Sequence, residues 1–555
     1  MNEYLSLKKS NCKNCYKCIR TCPVKSIKFS EHQAFIVPDE CILCGMCFVA
    51  CPQNAKQVRN DVAAAKELLA GDKPVWVSLA PSFAANFDGK SIDALEAALK
   101  KLGFAGVEET AVGATIVKKE YERMCDENSD ALIISSCCHS VNTLIQKYYP
   151  AALPYLAKVM SPMQAHCTKL KKEHDCATVF IGPCISKKAE AEEYPGIVDC
   201  VLTFEEIEDW LGENEIVIED IPDTHTRGRA RLFPTSGGVL RSMDKRSDIT
   251  YMVIDGVKNC IDALEEISNG GMKNCFIEMS ACQGSCIAGP VMKRAGTASI
   301  AEFRLVNKSA DAKLDISTPD MRELDKKMPQ KDMSRVMPGN SAIEEVLRKI
   351  GKFSPEQELN CGSCGYNTCR EKAIAVINGK ADLTMCLPYL LQKAESFSDT
   401  IINNTPNGII VLNEELEIQQ INRAACHILN VKSPRDVTGY PIVRITDPSD
   451  YFISVATGEN VYGKEKYLAQ YDKYVEETII YEKEYHILMI IMKDITNIEV
   501  SKRKKSEQSR QAVEITDRVI EKQMRIVHEI ASLLGETTAE TKIALNKLKE
   551  NLNDE

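Results

Sequence analysis

The spacing of its cysteines constrains this chain more than any other feature. Cys12, Cys15, Cys18 and Cys22-Pro23 follow the pattern C-x2-C-x2-C-x3-C-P, and Cys41, Cys44, Cys47 and Cys51-Pro52 repeat it. Cys361, Cys364, Cys369 and Cys386 form another compact set, C-x2-C-x4-C-x16-C. A fourth set is scattered over Ser135-Ser136-Cys137-Cys138, Gly182-Pro183-Cys184 with Lys187 and Glu190 after it, and Glu278-Met279-Ser280-Ala281-Cys282-Gln283-Gly284-Ser285-Cys286. With Cys137 set aside, these sets take sixteen of the 24 cysteines. In a reducing compartment such close spacings are metal-ligand patterns rather than disulfide frameworks. The doubled first pattern is an internal repeat.

A length of 555 residues implies several domains. The formal net charge of −10 argues against a nucleic-acid partner. No uninterrupted apolar run reaches the roughly 20 residues of a membrane-spanning helix, and Met1 to Lys9 lacks the apolar core of a signal peptide. No membrane partner is expected, and the expected location is cytoplasmic.

Residues 60–73 read as a polar helical connector. From Pro74 onward, β-like apolar runs such as Pro74–Leu79, Ala131–Ile134, Ala177–Ile181 and Cys275–Glu278 alternate with amphipathic stretches such as Ile92–Leu102. That alternation predicts α/β architecture with buried strands. The scattered cysteines follow the ends of three such runs, where α/β folds place ligands. Residues 305–340, charged and Pro-containing, are expected to form a linker or surface excursion. Further on, Gly408–Leu412 and Glu417–Ile421 read as a strand pair, Asn422–Leu429 as a helix, and Glu476–Tyr481 with Tyr485–Lys493 as a hairpin. After Ile498 the pattern is helical. Ile520, Met524, Val527, Ala531 and Leu534 have coiled-coil spacing, Gly535 interrupts, and Thr537, Thr538 and Glu540 can cap a second helix. A two-helix hairpin and a dimer stalk both satisfy this pattern.

The doubled run resembles the bacterial two-cluster ferredoxin pattern, in which the fourth cysteine of each run ligates the other cluster. That resemblance implies one [4Fe–4S] cluster on Cys12, Cys15, Cys18 and Cys51, and a second on Cys41, Cys44, Cys47 and Cys22. The set at Cys361, Cys364, Cys369 and Cys386 resembles the small [4Fe–4S] domain of several anaerobic redox proteins, with a structural zinc as the alternative. Gly362 and Gly365 let the backbone bend around a cluster there. The scattered set resembles the three signatures that hold the H-cluster of [FeFe]-hydrogenases, a [4Fe–4S] cube joined by a thiolate to a two-iron unit carrying carbon monoxide, cyanide and a dithiolate. The resemblance places the cube on Cys138, Cys184, Cys282 and Cys286, with Cys286 as the bridge. It assigns cyanide contacts to Lys187 and to Pro81-Ser82, and proton relay to Cys137.

Departures from that family are informative. Lys119 stands where its proton path has a glutamate, Glu122 keeps the second one, and Ala157 replaces a serine relay. Gly182 and Ser280 replace methionines beside the two-iron unit. These differences imply a compromised proton supply and an altered pocket.

Residues 396–497 resemble a PAS domain in Asn404-Thr-Pro-Asn-Gly-Ile-Ile-Val, Ile421-Asn-Arg-Ala-Ala and Lys493-Asp-Ile-Thr496. The expected architecture is therefore multidomain α/β. It comprises a ferredoxin-like two-cluster domain at 1–58, an iron-only hydrogenase H-cluster domain at 74–350, a small [4Fe–4S] domain at 355–393, an α+β PAS domain at 396–497 and C-terminal helices at 498–552.

Three readings follow. The first is a sensory [FeFe]-hydrogenase that slowly and reversibly oxidises H2, passes electrons through three accessory [4Fe–4S] clusters and signals through the PAS domain. Its implied partners are H2 and protons, a ferredoxin-like carrier, hydrogenase maturation proteins and a downstream kinase or phosphatase. A homodimer through the PAS domain and helical tail is also implied. The second reading is a metabolic hydrogenase that makes H2 with ferredoxin electrons. The third is a non-catalytic iron–sulfur scaffold. Oxygen-sensitive clusters imply an oxygen-poor cell. Cys125, Cys167, Cys176, Cys200, Cys260, Cys275 and Cys426 read as buried small residues, Trp76 and Trp210 as core, and His528 as a solvated helix histidine.

Overall fold

The computed structural model describes residues 4–127, 131–224, 227–270, 272–296, 299–311, 315–318, 324–333, 335–534, 547 and 549, with side chains undescribed at 529–534. It comprises two compact units, Met1–Leu390 and Leu391–Glu555. Among the described residues no helix is long and apolar enough to cross a membrane.

In the first unit, β1 (Leu5–Leu7), β2 (Ile27–Ser30), β3 (Gln33–Ile36) and β4 (Lys56–Val58) form two antiparallel ribbons, β1 with β4 and β2 with β3. The sequence repeat is visible in the backbone. Tyr16 and Gly45 take equivalent left-handed positions ahead of the helices Lys17–Thr21 and Met46–Val49. A Cβ on Gly45 would lie 2.5 Å from Pro290 Cβ, so glycine lets the second cysteine run close onto the following domain.

Helix Val62–Leu69 leads into two parallel sheets. They are built from β5 (Val75–Leu79), β6 (Gly106–Glu109), β7 (Leu132–Ile134), β8 (Ala177–Gly182), β9 (Cys200–Thr203), β10 (Thr250–Asp255) and β11 (Cys275–Ser280). The strand orders are β6-β5-β8-β9 and β10-β11-β7. Parallel neighbours need crossovers, which helices such as Ile92–Lys101 and Ser186–Glu193 supply. β5, β8 and β11 are almost wholly buried, as strands covered on both faces must be.

Residues 305–340 are more than a linker or surface excursion. Leu324 is buried, Asp325 pairs with Val159 in a β-bridge, and Lys326 is thereby carried inside to 4% exposure. The small four-cysteine segment packs Ile343, Val346 and Leu347 of helix Asn340–Lys349 against Ala373 and Cys386.

In the second unit, β12 (Gly408–Asn413), β13 (Ile418–Ile421), β14 (Val461–Leu468), β15 (Lys473–Glu482) and β16 (Ile487–Asp494) form an antiparallel sheet in the order β13-β12-β16-β15-β14. β14 has no counterpart in the sequence reading, because only Leu468 of its residues is buried. Asn422 fastens the first strands to helix Arg423–Ile428. Its Oδ1 accepts from Ala425 and Ile409 N–H groups at 2.8 and 2.9 Å, and its Nδ2 donates to Ile402 and Asn407 carbonyls. Helix Thr496–Leu534 follows, with His528 exposed. Lys549 reaches back to Asp517 at 3.3 Å, which favours the hairpin arrangement of the tail. Gly535 and the cap at Thr537, Thr538 and Glu540 lie outside the described residues.

The seven isolated cysteines are all buried, as is Trp210. Trp76 is half-buried and stacks on His174 with ring centroids 3.8 Å apart.

Candidate functional site

Four strand ends meet around a cavity of about 120 Å³. The chain delivers Pro81 and Ser82 after β5, Cys137 and Cys138 after β7, Cys184 after β8, and Cys282 and Cys286 after β11. All except Cys282 line the cavity. Cys282 lies within electrostatic range of Cys184, Cys286 and Cys138. A space of this size holds a polyatomic group rather than one water.

The thiols converge without closing on a single ion. Tetrahedral zinc, with Zn–S bonds of about 2.3 Å, draws its sulfurs to about 3.8 Å from one another. Among the described residues, the group with three ligand atoms all within 4.8 Å is Glu108, Glu173 and His174, and Lys169 already bridges its two carboxylates. The wider spacing of the cysteine sulfurs suits clusters better than single ions. Ser82 adds a second sign of fit. Its Oγ is buried at the cavity with no hydrogen-bond partner among the described residues, an arrangement that costs about 1–3 kcal/mol until something bonds it.

Lys187 supplies charge at the same wall. Its Nζ donates to the Cys137 carbonyl at 3.1 Å and pairs with Glu190 at 2.5 Å. The other Glu190 oxygen pairs with Lys326, whose Nζ lies 4.5 Å from the Tyr194 ring centroid. Burial opposes the Glu190 charge, but Lys187 and Lys326 outweigh it and hold the carboxyl well below its usual range. Burial likewise opposes the Lys187 charge, and Glu190 with Cys184 raises it again. Burial pulls Lys326 below the usual lysine range. One carboxylate between two ammoniums leaves the wall suited to an anionic guest. His139, next to Cys138, makes no bond through Nδ1 among the described residues, and burial pushes it down to about 3, so it is neutral.

Cys137 meets Tyr121. The thiol sulfur lies 3.2 Å from the phenol oxygen, which accepts from the Ser136 N–H at 2.9 Å and lies 3.1 Å from Ser136 Oγ. Ser136 Oγ donates to the Val159 carbonyl at 2.9 Å. Burial pushes the Cys137 thiol up to about 12 and the Tyr121 phenol well above its ordinary value. Both are protonated at neutral pH.

Thus Tyr121, rather than Glu122 or Lys119, is the residue of helix Ala111–Glu127 set against Cys137. Successive residues turn about 100° around a helix. Glu122 faces elsewhere, accepting from the Asp244 N–H at 2.7 Å and lying 3.6 Å from Lys118. Burial raises its carboxyl. Lys119 reaches Thr318 at the surface, whereas Lys118 is buried and pairs with Asp315 at 2.7 Å. Ala157 is buried and offers no relay.

Glu278 lines the cavity too. Burial raises its carboxyl to about 7, although it accepts from the Leu240 N–H at 3.0 Å. Phe180 stands in the wall beside Gly182, where a Cβ would lie 2.7 Å from the Phe180 ring. Sequence reasoning missed Tyr121, Lys326, Lys118 and Phe180. None carries a spacing pattern, and their roles arise from contacts distant in the chain.

The compact sets assemble as well. Cys12, Cys15, Cys18 and Cys51 line one small hollow, joining three thiols of the first run to the last of the second. Cys22 lies within electrostatic range of Cys41, Cys44 and Cys47. Cys44 lies within range of Cys282. Lys372 is buried among Cys364, Cys386 and Cys369, and Cys361 is exposed three positions before Cys364.

Comparison with known proteins follows the same division. Residues 73–290 match the C-terminal domain of the iron only hydrogenase large subunit, 11–55 a 4Fe-4S dicluster domain, 357–388 a putative Fe-S cluster domain and 396–461 a PAS domain. The chain is 26% identical over 232 residues to the cytosolic Fe-S cluster assembly factor NAR1 of Yarrowia lipolytica, covering 35% of this chain and 46% of that protein. It is 25% identical over 260 residues to the periplasmic [Fe] hydrogenase large subunit of Nitratidesulfovibrio vulgaris, covering 35% and 62%. It is 24% identical over 361 residues to the NADP-reducing hydrogenase subunit HndD of Solidesulfovibrio fructosivorans, covering 50% and 61%. The chain thus spans between 46% and 62% of the length of these relatives. A solved variant of [FeFe]-hydrogenase HydA1 from Chlamydomonas reinhardtii superposes with a TM-score of 0.36 at 17% identity, over 44% of this chain and 88% of that one. With a cysteine-lined cavity inside the hydrogenase-type domain, iron–sulfur segments on either side and a PAS domain after them, this chain is a PAS-containing [FeFe]-hydrogenase-like protein.

Proposed function

We propose that the chain is a sensory [FeFe]-hydrogenase. It binds and slowly, reversibly oxidises H2 at an H-cluster held by Cys138, Cys184, Cys282 and Cys286. Electrons pass through three accessory [4Fe–4S] clusters, and the PAS domain carries the signal. A ferredoxin-like carrier, maturation proteins, a downstream kinase or phosphatase, homodimerisation and a cytoplasmic setting belong to this reading.

The observation that carries it is the Cys137–Tyr121 contact beside an otherwise complete cavity. When bound, the two-iron unit supplies the heterolytic splitting of H2. The remaining tasks fall on this chain. Lys187 presents an ammonium and Ser82 a free hydroxyl to the guest. Cys137 holds a proton at Sγ. From there the hydrogen bonds run to Tyr121, then Ser136, and end on the Val159 carbonyl, which has no proton to pass on. The buried phenol resists ionisation, so protons leave slowly. Slow exchange suits a sensor better than a catalyst.

Infrared spectroscopy of anaerobically matured protein tests this directly. Carbonyl and cyanide bands that shift between argon and hydrogen, with slow H2 turnover, are the expected result. Absence of bands after a maturation that succeeds on a control hydrogenase overturns it. That outcome favours a scaffold holding the cube alone, a reading supported by the similarity to an Fe-S cluster assembly factor. Rapid turnover favours the metabolic reading.

A further inference from the structure

We propose that Lys25 is a buried cation shared by two accessory clusters, the one on Cys22 and the one on Cys364, and that the electron path branches at the Cys22 cluster. The inference depends on the cysteine sets holding clusters, and is independent of the H-cluster and of signalling.

Lys25 lies three positions after Cys22 and is 9% exposed. Its Nζ donates to the carbonyls of Ile19 at 3.2 Å, Arg20 at 3.1 Å and Gly365 at 3.2 Å. Three acceptors match the three N–H donors of an ammonium, so the site is built for the charged form even though burial pulls its pKa below the usual lysine range. Among the described residues no carboxylate lies within ion-pair distance of Lys25. Its electrostatic neighbours are Glu371 and the sulfurs of Cys22 and Cys364, which are anionic thiolates when they hold a cluster.

Both cluster loops supply its acceptors. Ile19 and Arg20 belong to the short helix Lys17–Thr21 between Cys18 and Cys22, and Gly365 follows Cys364. The loops interlock, since Arg20 reaches the Gly362 and Ser363 carbonyls at 3.4 Å. A Cβ on Gly365 would lie 3.0 Å from Ile19 Cγ2. Lys25 itself has φ 51°, a left-handed position that favours glycine or asparagine. A lysine stands there at some conformational cost, and its side chain explains why.

A positive charge in a poorly screened interior favours an added electron on either neighbour. Lys25 therefore raises both potentials together. Lys56 repeats the arrangement one step away. It is buried and sensed by Cys18 of one predicted cluster and Cys47 of the other. Cys44 faces Cys282. The Cys22 cluster thus has three neighbours: the first cluster, the cube and the Cys364 cluster.

The test is a redox titration followed by electron paramagnetic resonance, on the full chain with its accessory clusters reconstituted anaerobically and no two-iron unit installed. In Lys25→Met, two of the three accessory potentials should fall and the third should hold, while Lys25→Arg should restore both. Unchanged potentials, or an equal shift of all three, overturn the proposal. Should Lys25→Met lose iron, the unmutated protein still decides. Its reduced spectrum should show magnetic coupling, of which one component is lost when Cys364→Ala removes one cluster while the coupling between the two clusters of the doubled run remains. A spectrum that changes only by loss of an isolated signal overturns the branch. None of these readouts depends on H2 chemistry, so their failure is distinguishable from failure of the proposed function.

Discussion

The Tyr121 phenol oxygen sits 3.2 Å from the Cys137 sulfur and closes its hydrogen-bond chain on a backbone carbonyl. A carboxylate at this position would accept the thiol proton and release it. Tyr121→Glu should therefore raise exchange between H2 and deuterated water by about tenfold or more. Tyr121→Phe should not raise it, and should shift the Cys137 S–H stretching band even without iron. An unmoved S–H band in Tyr121→Phe would show that the contact is not made.

Glu278 gives a pH-dependent stability. Its folded carboxyl, raised by burial to about 7 from an ordinary 4.5, prefers to be protonated. Its contribution is complete below the ordinary carboxylate value and is lost as pH rises through 7. The full loss is about 3 kcal/mol. Denaturant unfolding from about pH 5 to about pH 8 should show the decline. Glu278→Gln should abolish this component. An infrared carboxylic-acid band titrating near neutrality in the parent, and missing from Glu278→Gln, provides a second check.

Ser82→Ala separates structure from ligand binding. The hydroxyl has no partner among the described residues, so removing it should leave the cluster-free protein equally stable, or more stable by about 1 kcal/mol. In matured protein the same change should move a cyanide band. Destabilisation of the cluster-free form would mean that Ser82 already has a structural bond.

Glu190 sits between Lys187 and Lys326. Glu190→Gln leaves two buried ammoniums without their carboxylate and should cost about 3–5 kcal/mol in unfolding experiments. Adding Lys326→Met should recover a large part of that loss. Equal destabilisation in the single and double variants would refute a charge origin.

The cysteine sets were legible because ligand spacing is local and the repeat at residues 1–58 is nearly identical in its two halves. β5, β8 and β11 were legible because a covered parallel strand is a continuous apolar run. Tyr121 was not, because placing a side chain on the correct helical face requires the register of that helix against β7. Lys326 was hidden further still. It meets Glu190 across 136 positions, from a segment whose charge and proline content read as surface. β14 escaped because an edge strand with a single buried residue lacks alternation.

The two parallel sheets do not share a strand. Cys184 hangs from the four-stranded sheet, while Cys138, Cys282 and Cys286 extend from the three-stranded one. Any group bound by all four is a rivet between two plates that share no strand and are joined at this edge by packing and by contacts such as that of Lys187 with the Cys137 carbonyl. Inserting it removes their freedom to shear. Withdrawing it returns that freedom to the cavity wall, where Cys137 and Lys187 stand.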